Sequence, residues 1–149
     1  MGMFDSFNIN ASGLTAQRYR MDVIAENVAN ANTTRTADGS PYKRKVVTFE
    51  EKNGSYEKFD TIFGHASRRF KGHGVAVNGT YEDSSEGNMV YDPAHPDADE
   101  NGYVTYPNVN IITEMTNLID ASRSYEANAT AFEASKAIAK QGLTMGQGG

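Results

Sequence analysis

The residues of this chain best equipped for chemistry lie between Asp92 and Asn108. Asp97-Ala98-Asp99-Glu100-Asn101-Gly102 sets oxygen-bearing side chains at alternate positions with a glycine sixth. The first half of a calcium loop has that pattern, because alternate oxygens and a tight turn surround the ion. The bidentate glutamate that closes such a loop is replaced by Asn108, and Pro93 and Pro96 stand where a preceding helix would be. A polar turn is the reading the sequence favours. His65, His73 and His95 are the other candidates for metal or acid–base work, with Asp92 and Asp97 near His95. They are widely separated, and no His-x3-His pair or glutamate at helical spacing supports a site. His95, between Pro93 and Pro96, reads as a rigid loop, and His73, between two glycines, as a turn. With no cysteine, thiol nucleophiles, thiolate metal sites and disulfides are excluded. No phosphate-binding glycine loop, nucleophile elbow or Rossmann fingerprint is present. The expectation is a protein that is not an enzyme, with no catalytic residue, cofactor, metal or small-molecule substrate.

Composition narrows the partners. A net charge of −5 and a pI near 5.1 argue against nucleic acid, whose binding needs a basic face. Anionic membrane surfaces are disfavoured for the same reason. The small basic clusters, Arg35 with Lys43-Arg44-Lys45 and Arg68-Arg69 with Lys71, suit an acidic neighbouring surface better. Hydrophobic residues make up 38% of the chain, against roughly 45–50% in typical globular chains, so burial is expected to be shared with neighbours. No apolar run approaches the ~20 residues of a membrane-spanning helix. Met1-Gly2-Met3-Phe4-Asp5-Ser6-Phe7 holds neither the basic nor the apolar region of a Sec-type signal, so export is expected to use another route.

The elements that must position these residues follow from where the chain can and cannot turn. No Gly or Pro occurs between Leu14 and Thr36, or between Asn108 and Gln141, whereas all four prolines lie between them. In the first breaker-free end, Phe4, Phe7, Ala11, Leu14, Arg18, Met21, Ala25 and Val28 recur at alternating spacings of three and four. This predicts a helix over residues 6–31, about 39 Å long at 1.5 Å per residue. Gly13 costs about 1 kcal/mol there relative to Ala, so irregular first turns are expected. In the second end, Ile111, Met115, Leu118, Ser122, Tyr125, Ala129, Phe132, Lys136, Ala139 and Leu143 continue the same alternation for more than four heptads. Asn108 or Asn110 is its candidate N-cap, Glu114 suits the helix dipole, and the glycine-rich tail from Gly142 should fray. The centre reads as short strands: Tyr42–Phe49 between the turn dipeptides Asp38-Gly39 and Asn53-Gly54, then Val75–Val77, Met89–Tyr91 and Tyr103–Tyr106.

The predicted fold class is therefore α+β: long N- and C-terminal helices pairing as a coiled coil, with a small β-rich middle module. Its segments are residues 1–35, 36–107 and 108–149, the first and last forming one coiled-coil domain. Two narrow apolar seams that cover only each other leave much of themselves bare, so the ends should be disordered before assembly or buried in an oligomer. Arg18 and Lys136 at seam positions would fix register and partner. Asn27, Asn30 and Asn32 can stop the helix locally or hydrogen-bond across a packed subunit boundary. The candidate assembly residues are Phe4, Phe7, Leu14, Arg18, Met21, Asn27, Val28, Asn30, Asn32, Ile111, Met115, Leu118, Tyr125, Phe132 and Lys136.

Several of these segments carry a family likeness. Phe7-Asn8-Ile9-Asn10-Ala11-Ser12-Gly13-Leu14-Thr15-Ala16-Gln17, followed by Ala25-Glu26-Asn27-Val28-Ala29-Asn30-Ala31-Asn32-Thr33-Thr34, resembles the N-terminal signature of the flagellar rod and hook axial protein family. Asp38–Phe49 is similar to the segment that follows it in the proximal-rod branch. So are Met89-Val90-Tyr91-Asp92-Pro93-Ala94-His95-Pro96-Asp97-Ala98-Asp99 and Gly102–Asn110, and Glu114–Asn128 is similar to the family's C-terminal helix. Residues 52–69 match no recognised pattern. The resemblance implies a structural subunit of the proximal rod of the bacterial flagellar basal body. It would be exported unfolded by the flagellar type III apparatus and polymerise through terminal helices that line the export channel and transmit torque. Implied partners are further copies, other proximal and distal rod proteins, and an adaptor at the membrane ring and export gate. The competing reading is a soluble coiled-coil binding module or secretion adaptor.

Overall fold

A computed structural model describes residues 3–52 and 73–146, with side chains from Asp5 onward in the first helix. The order is helix α1 (Met3–Ala29), strands β1 (Lys45–Glu51), β2 (Val75–Glu82), β3 (Asn88–Tyr91) and β4 (Tyr103–Tyr106), and helix α2 (Ile111–Gly146). The α+β class read from the sequence is the one observed. The turn at Asn53-Gly54, His65, Arg68, Arg69 and Lys71 lie outside the described residues.

Both helices fill the breaker-free windows. Asn110 is the N-cap of α2, its Oδ1 accepting from the Ile112 N–H at 3.0 Å and the Thr113 N–H at 3.2 Å. At the end of α1, the Glu26 carbonyl accepts both the Asn30 N–H at 3.1 Å and the Asn30 side-chain amide at 3.0 Å. Contrary to the expected irregularity and fraying, α1 runs unbroken through Gly13 and α2 through Gly142 to Gly146.

Among the described residues two two-stranded sheets form, β1 with β2 and β3 with β4. Bonds from Lys52 N to Gly74 O and from Asp83 N to Arg44 O make the first pair antiparallel. The second is antiparallel with Val90 opposite Val104 and Tyr91 opposite Tyr103. Cover on this hairpin is local to Val104, since its cross-strand partner Val90 on the same face is 47% exposed. Val104 is fully buried, while Met89, Tyr91 and Tyr103 on the other face are exposed.

The chain divides into two compact units. The first comprises Met1–Arg18, Phe49–Asn78 and Arg123–Gly149. Here the start of α1 and the end of α2 run antiparallel, with Phe7 edge-on to Phe132 at 5.2 Å and Asn10 donating to Ser135. Gly13 permits this contact, because a Cβ there would stand 2.8 Å from Asn128 Oδ1. Gly74 has a φ of +82° and presses against Ser12, whose hydroxyl accepts from the Val75 N–H at 3.0 Å. The second unit comprises Tyr19–Thr48 and Gly79–Ser122. It holds most of the buried side chains: Val23, Ile24, Asn27, Ala31, Tyr42, Val104, Glu114 and Ala121.

Candidate assembly interface

Within the second unit, a buried polar centre fixes the helices. Asn27 of α1 is 1% exposed and uses all four hydrogen-bonding positions of its amide. Its Nδ2 donates to Lys45 O at 2.8 Å and Glu114 Oε2 at 3.1 Å. Its Oδ1 accepts from the Tyr42 hydroxyl at 2.9 Å and the Lys45 N–H at 2.8 Å. Glu114, in the first turn of α2 and 1% exposed, receives Arg44 through Nε at 2.9 Å and Nη2 at 2.7 Å. Arg44 is itself held by Asn108, whose Oδ1 accepts the Arg44 N–H at 3.0 Å. A buried carboxylate is tolerable only when paired and hydrogen-bonded, and Glu114 is both.

The charges around this centre are tuned by the same contacts. Burial pushes the Tyr42 phenol above its ordinary value, with Glu26 adding to the effect. A hydrogen bond to Glu26 holds the Lys45 ammonium above its own. Arg44 and Lys45 are thus spent inside the molecule, on Glu114 and Glu26, and are not the free basic patch the sequence suggested.

The acidic loop is likewise structural. Asp99 Oδ1 accepts from the N–H groups of Asn101 at 2.9 Å and Tyr103 at 2.8 Å, closing a turn. Asp97 accepts from Thr34 at 2.8 Å and Arg35 at 3.4 Å. His95 accepts the Asp97 N–H on Nδ1. Among the described residues no group of three or more His, Cys, Asp or Glu is placed to hold a metal ion.

The large apolar residues of α2 are the unusual part. In the second unit Ile111, Ile112, Met115 and Ile119 are exposed, Ile112 at 77% and Met115 at 56%. In the first, Ile138, Leu143 and Met145 are exposed, and among its described residues the buried apolar side chains are Ala16 and Ala139. Helix pairing within the chain therefore runs along Glu114, Ala121, Asn128, Phe132, Ser135 and Ala139, a track of mostly small and polar side chains.

The residues chosen from the sequence divide accordingly. Phe7 meets Phe132, and Asn27 joins the polar centre. Leu14, Met21, Val28 and Leu118 are half-buried, and Asn30 bonds locally to Glu26 and Thr33. Arg18, Asn32, Ile111, Met115, Tyr125 and Lys136 are exposed, Lys136 within 3.7 Å of Glu133. The side chain of Phe4 lies outside the described part. Sequence reasoning missed the joint role of Tyr42, Arg44, Asn108 and Glu114. The available signal was a glutamate in the first turn of α2, beside the apolar seam and not in it.

Comparison with known proteins decides the family. Over 153 aligned residues the chain is 44% identical to the flagellar basal-body rod protein FlgC of Borreliella burgdorferi, covering 99% of this chain and 100% of that one. The chain belongs to the FlgC family. FlgC of Bacillus subtilis is 43% identical and that of Salmonella typhimurium 38% identical, each over 99% of this chain and 100% of its own. The family model described as flagella basal body rod protein matches residues 7–35, and that described as flagellar basal body rod FlgEFG protein C-terminal matches residues 100–145. As a member of the FlgC family, the chain is a structural rod subunit of the flagellar basal body. Full-length kinship favours that role over a free coiled-coil adaptor.

Proposed function

We propose that this FlgC-family chain is a proximal-rod subunit that polymerises through its terminal helices, transmits torque and lines the export channel. The observation that carries the reading is the exposure of Ile112, Met115 and Ile119 on a helix whose contact with α1 is made by smaller and polar residues. Apolar side chains grouped in this way gain most by being covered, and a neighbouring subunit is the cover available in a rod. Torque transmission needs many contacts in parallel and no chemistry, so the chain is read as non-enzymatic, without cofactor or metal. The candidate assembly residues from Phe4 to Lys136 belong to this proposal. So does the division into residues 1–35 and 108–149 as the helical layer and 36–107 as the middle module. Its partners are further copies, other proximal and distal rod proteins, and an adaptor at the membrane ring and export gate, reached by type III export.

The test is Met115→Asp with Ile119→Asp in a host lacking its own copy. Both side chains are exposed in the free chain, so helix content should be unchanged. Each charge would be buried unpaired on assembly, at about 3–5 kcal/mol. Swimming in soft agar should be lost and basal bodies should lack the subunit. Normal swimming with both replacements would remove this helix face from the assembly.

A further inference from the structure

We infer that the uncovered face of the β3–β4 hairpin is a docking groove for a basic segment of a second copy of this chain, the run Arg68-Arg69-Phe70-Lys71, which lies outside the described residues. This contact rests on the rod reading, which brings a second copy alongside. The groove itself contains no residue of α1 or α2.

The hairpin pairs Met89 with Thr105 and Tyr91 with Tyr103 on one face, and all four are exposed, Met89 at 69% and Tyr91 at 64%. The two tyrosine rings meet edge-on at 5.3 Å. Tyr91 also lies against the turn that follows it, where a Cβ on Gly102 would stand 2.9 Å from the ring. The aromatic surface is therefore set before anything binds it, which lowers the ordering cost of a contact. Beside it Tyr103, Thr105, Pro41, Pro96, Asp97 and Asp99 line a groove of about 360 Å³. Its walls are tied together by Thr34 and Arg35 on Asp97 and by the turn that Asp99 closes.

Charge decides what fits it. From Gly72 to Ser122 the sequence holds nine Asp or Glu and no Lys or Arg. Arg35, which lines the groove, is already engaged by Asp97. Asp99 and Glu100 are exposed and have no cationic partner among the described residues. An Arg or Lys held over a tyrosine face gains a cation–π contact, and a carboxylate beside it adds a charge-assisted hydrogen bond. Residues 52–71 carry five Lys or Arg against two Asp or Glu, the reverse of the hairpin's balance, and Phe70 adds a ring for the apolar wall. One chain thus holds both halves of a complementary contact, as a heterologous interface that repeats from copy to copy requires.

The test uses the full chain in two ways. A labelled peptide copying residues 63–74 is titrated against chain carrying Arg68→Ser and Arg69→Ser, whose own segment competes less. Tyr91→Ala with Tyr103→Ala, or Glu100→Arg with Thr105→Arg, should weaken binding at least about tenfold. Glu100 and Thr105 are exposed and make no side-chain hydrogen bond among the described residues, so circular dichroism should be unchanged. Ser84→Arg with Glu86→Arg makes the same change in net charge elsewhere and should cost under about twofold at physiological salt. In a host lacking its own copy, reversal of the groove (Glu100→Arg, Thr105→Arg) or of the cluster (Arg68→Glu, Arg69→Glu) should each impair swimming in soft agar. Co-expressing the two altered chains should restore it, because each groove then meets the other chain's cluster. Equal weakening of the peptide by the Ser84→Arg, Glu86→Arg pair would reduce the attraction to net charge and overturn the inference. So would restoration only when both reversals sit in one chain, which would put the segment in its own groove, and so would normal swimming of either altered strain. If the host swims without the chain at all, the rod reading fails, and the peptide titration still decides whether the groove selects this segment.

Discussion

All four hydrogen-bonding positions of the Asn27 amide are occupied, and three of them are taken by Tyr42 and the backbone of Lys45. The pH behaviour of the second unit follows from these neighbours. Tyr42 is raised from its ordinary 10.0, chiefly by burial, and Lys45 from 10.5, chiefly by its hydrogen bond to Glu26. The folded chain therefore holds both protons more tightly than the unfolded chain. The stability they contribute is complete below about pH 10 and is lost as pH rises through the folded values. Asp97 runs the other way: the Thr34 hydroxyl leads in holding its carboxyl below 3.8, so its contribution is present above that value and lost as pH falls through the folded one. Thermal melts should give a nearly flat midpoint between about pH 6 and 9 and a fall above about pH 10. Tyr42→Phe with Lys45→Met should flatten much of that alkaline fall, and an undiminished fall in the double variant would count against these two groups. None of this was legible residue by residue. Asn27 read as a helix stop or a hydrogen-bonding group at a subunit boundary, Arg44 as part of a basic cluster and Glu114 as a dipole partner, each a local reading of residues that meet only in the folded chain.

Elements were far more legible than their contacts. The absence of Gly and Pro over two long windows marked α1 and α2, and Asn110 was one of two candidate caps for the latter. The β-branched and aromatic runs marked β2, β3 and β4. The first strand begins at Lys45 and not Tyr42, because the preceding arm makes other bonds: Tyr42 N goes to Thr33 O and Arg44 N to the Asn108 side chain. Hydrophobic periodicity also misses the track by which the helices meet, since that track includes Glu114, Asn128 and Ser135. Gly13 shows why. As a mid-helix glycine it looked like a cost, yet it admits the Asn128 side chain, whose Nδ2 donates to Ser124 O at 2.9 Å. Gly13→Ala alone should therefore fail to give the usual gain of about 1 kcal/mol in urea unfolding. In an Asn128→Ala background the same change should stabilise by about that amount. Equal effects in both backgrounds would mean the close approach does not matter.

At the scale of the whole molecule, the two units differ in what holds them. The second has aliphatic core residues and a fully bonded polar centre; among the described residues of the first, the buried apolar side chains are alanines, and the half-buried Phe7 and Phe132 meet between its helix segments. Low apolar content had suggested that burial is shared with neighbours, and the exposed Ile112, Met115, Ile119, Ile138, Leu143 and Met145 give that expectation particular residues. Local opening free energies follow buried contact, so the helix ends should open first in a free subunit and close only when covered. Amide hydrogen exchange on the dilute chain tests this most directly. The account predicts slow exchange over residues 19–29 and 111–122 and fast exchange over 3–18 and 123–146, with the latter slowing when the subunit is incorporated into basal bodies. Strong, uniform protection of both helices in the dilute chain would contradict it, because helices already satisfied in isolation need no neighbours.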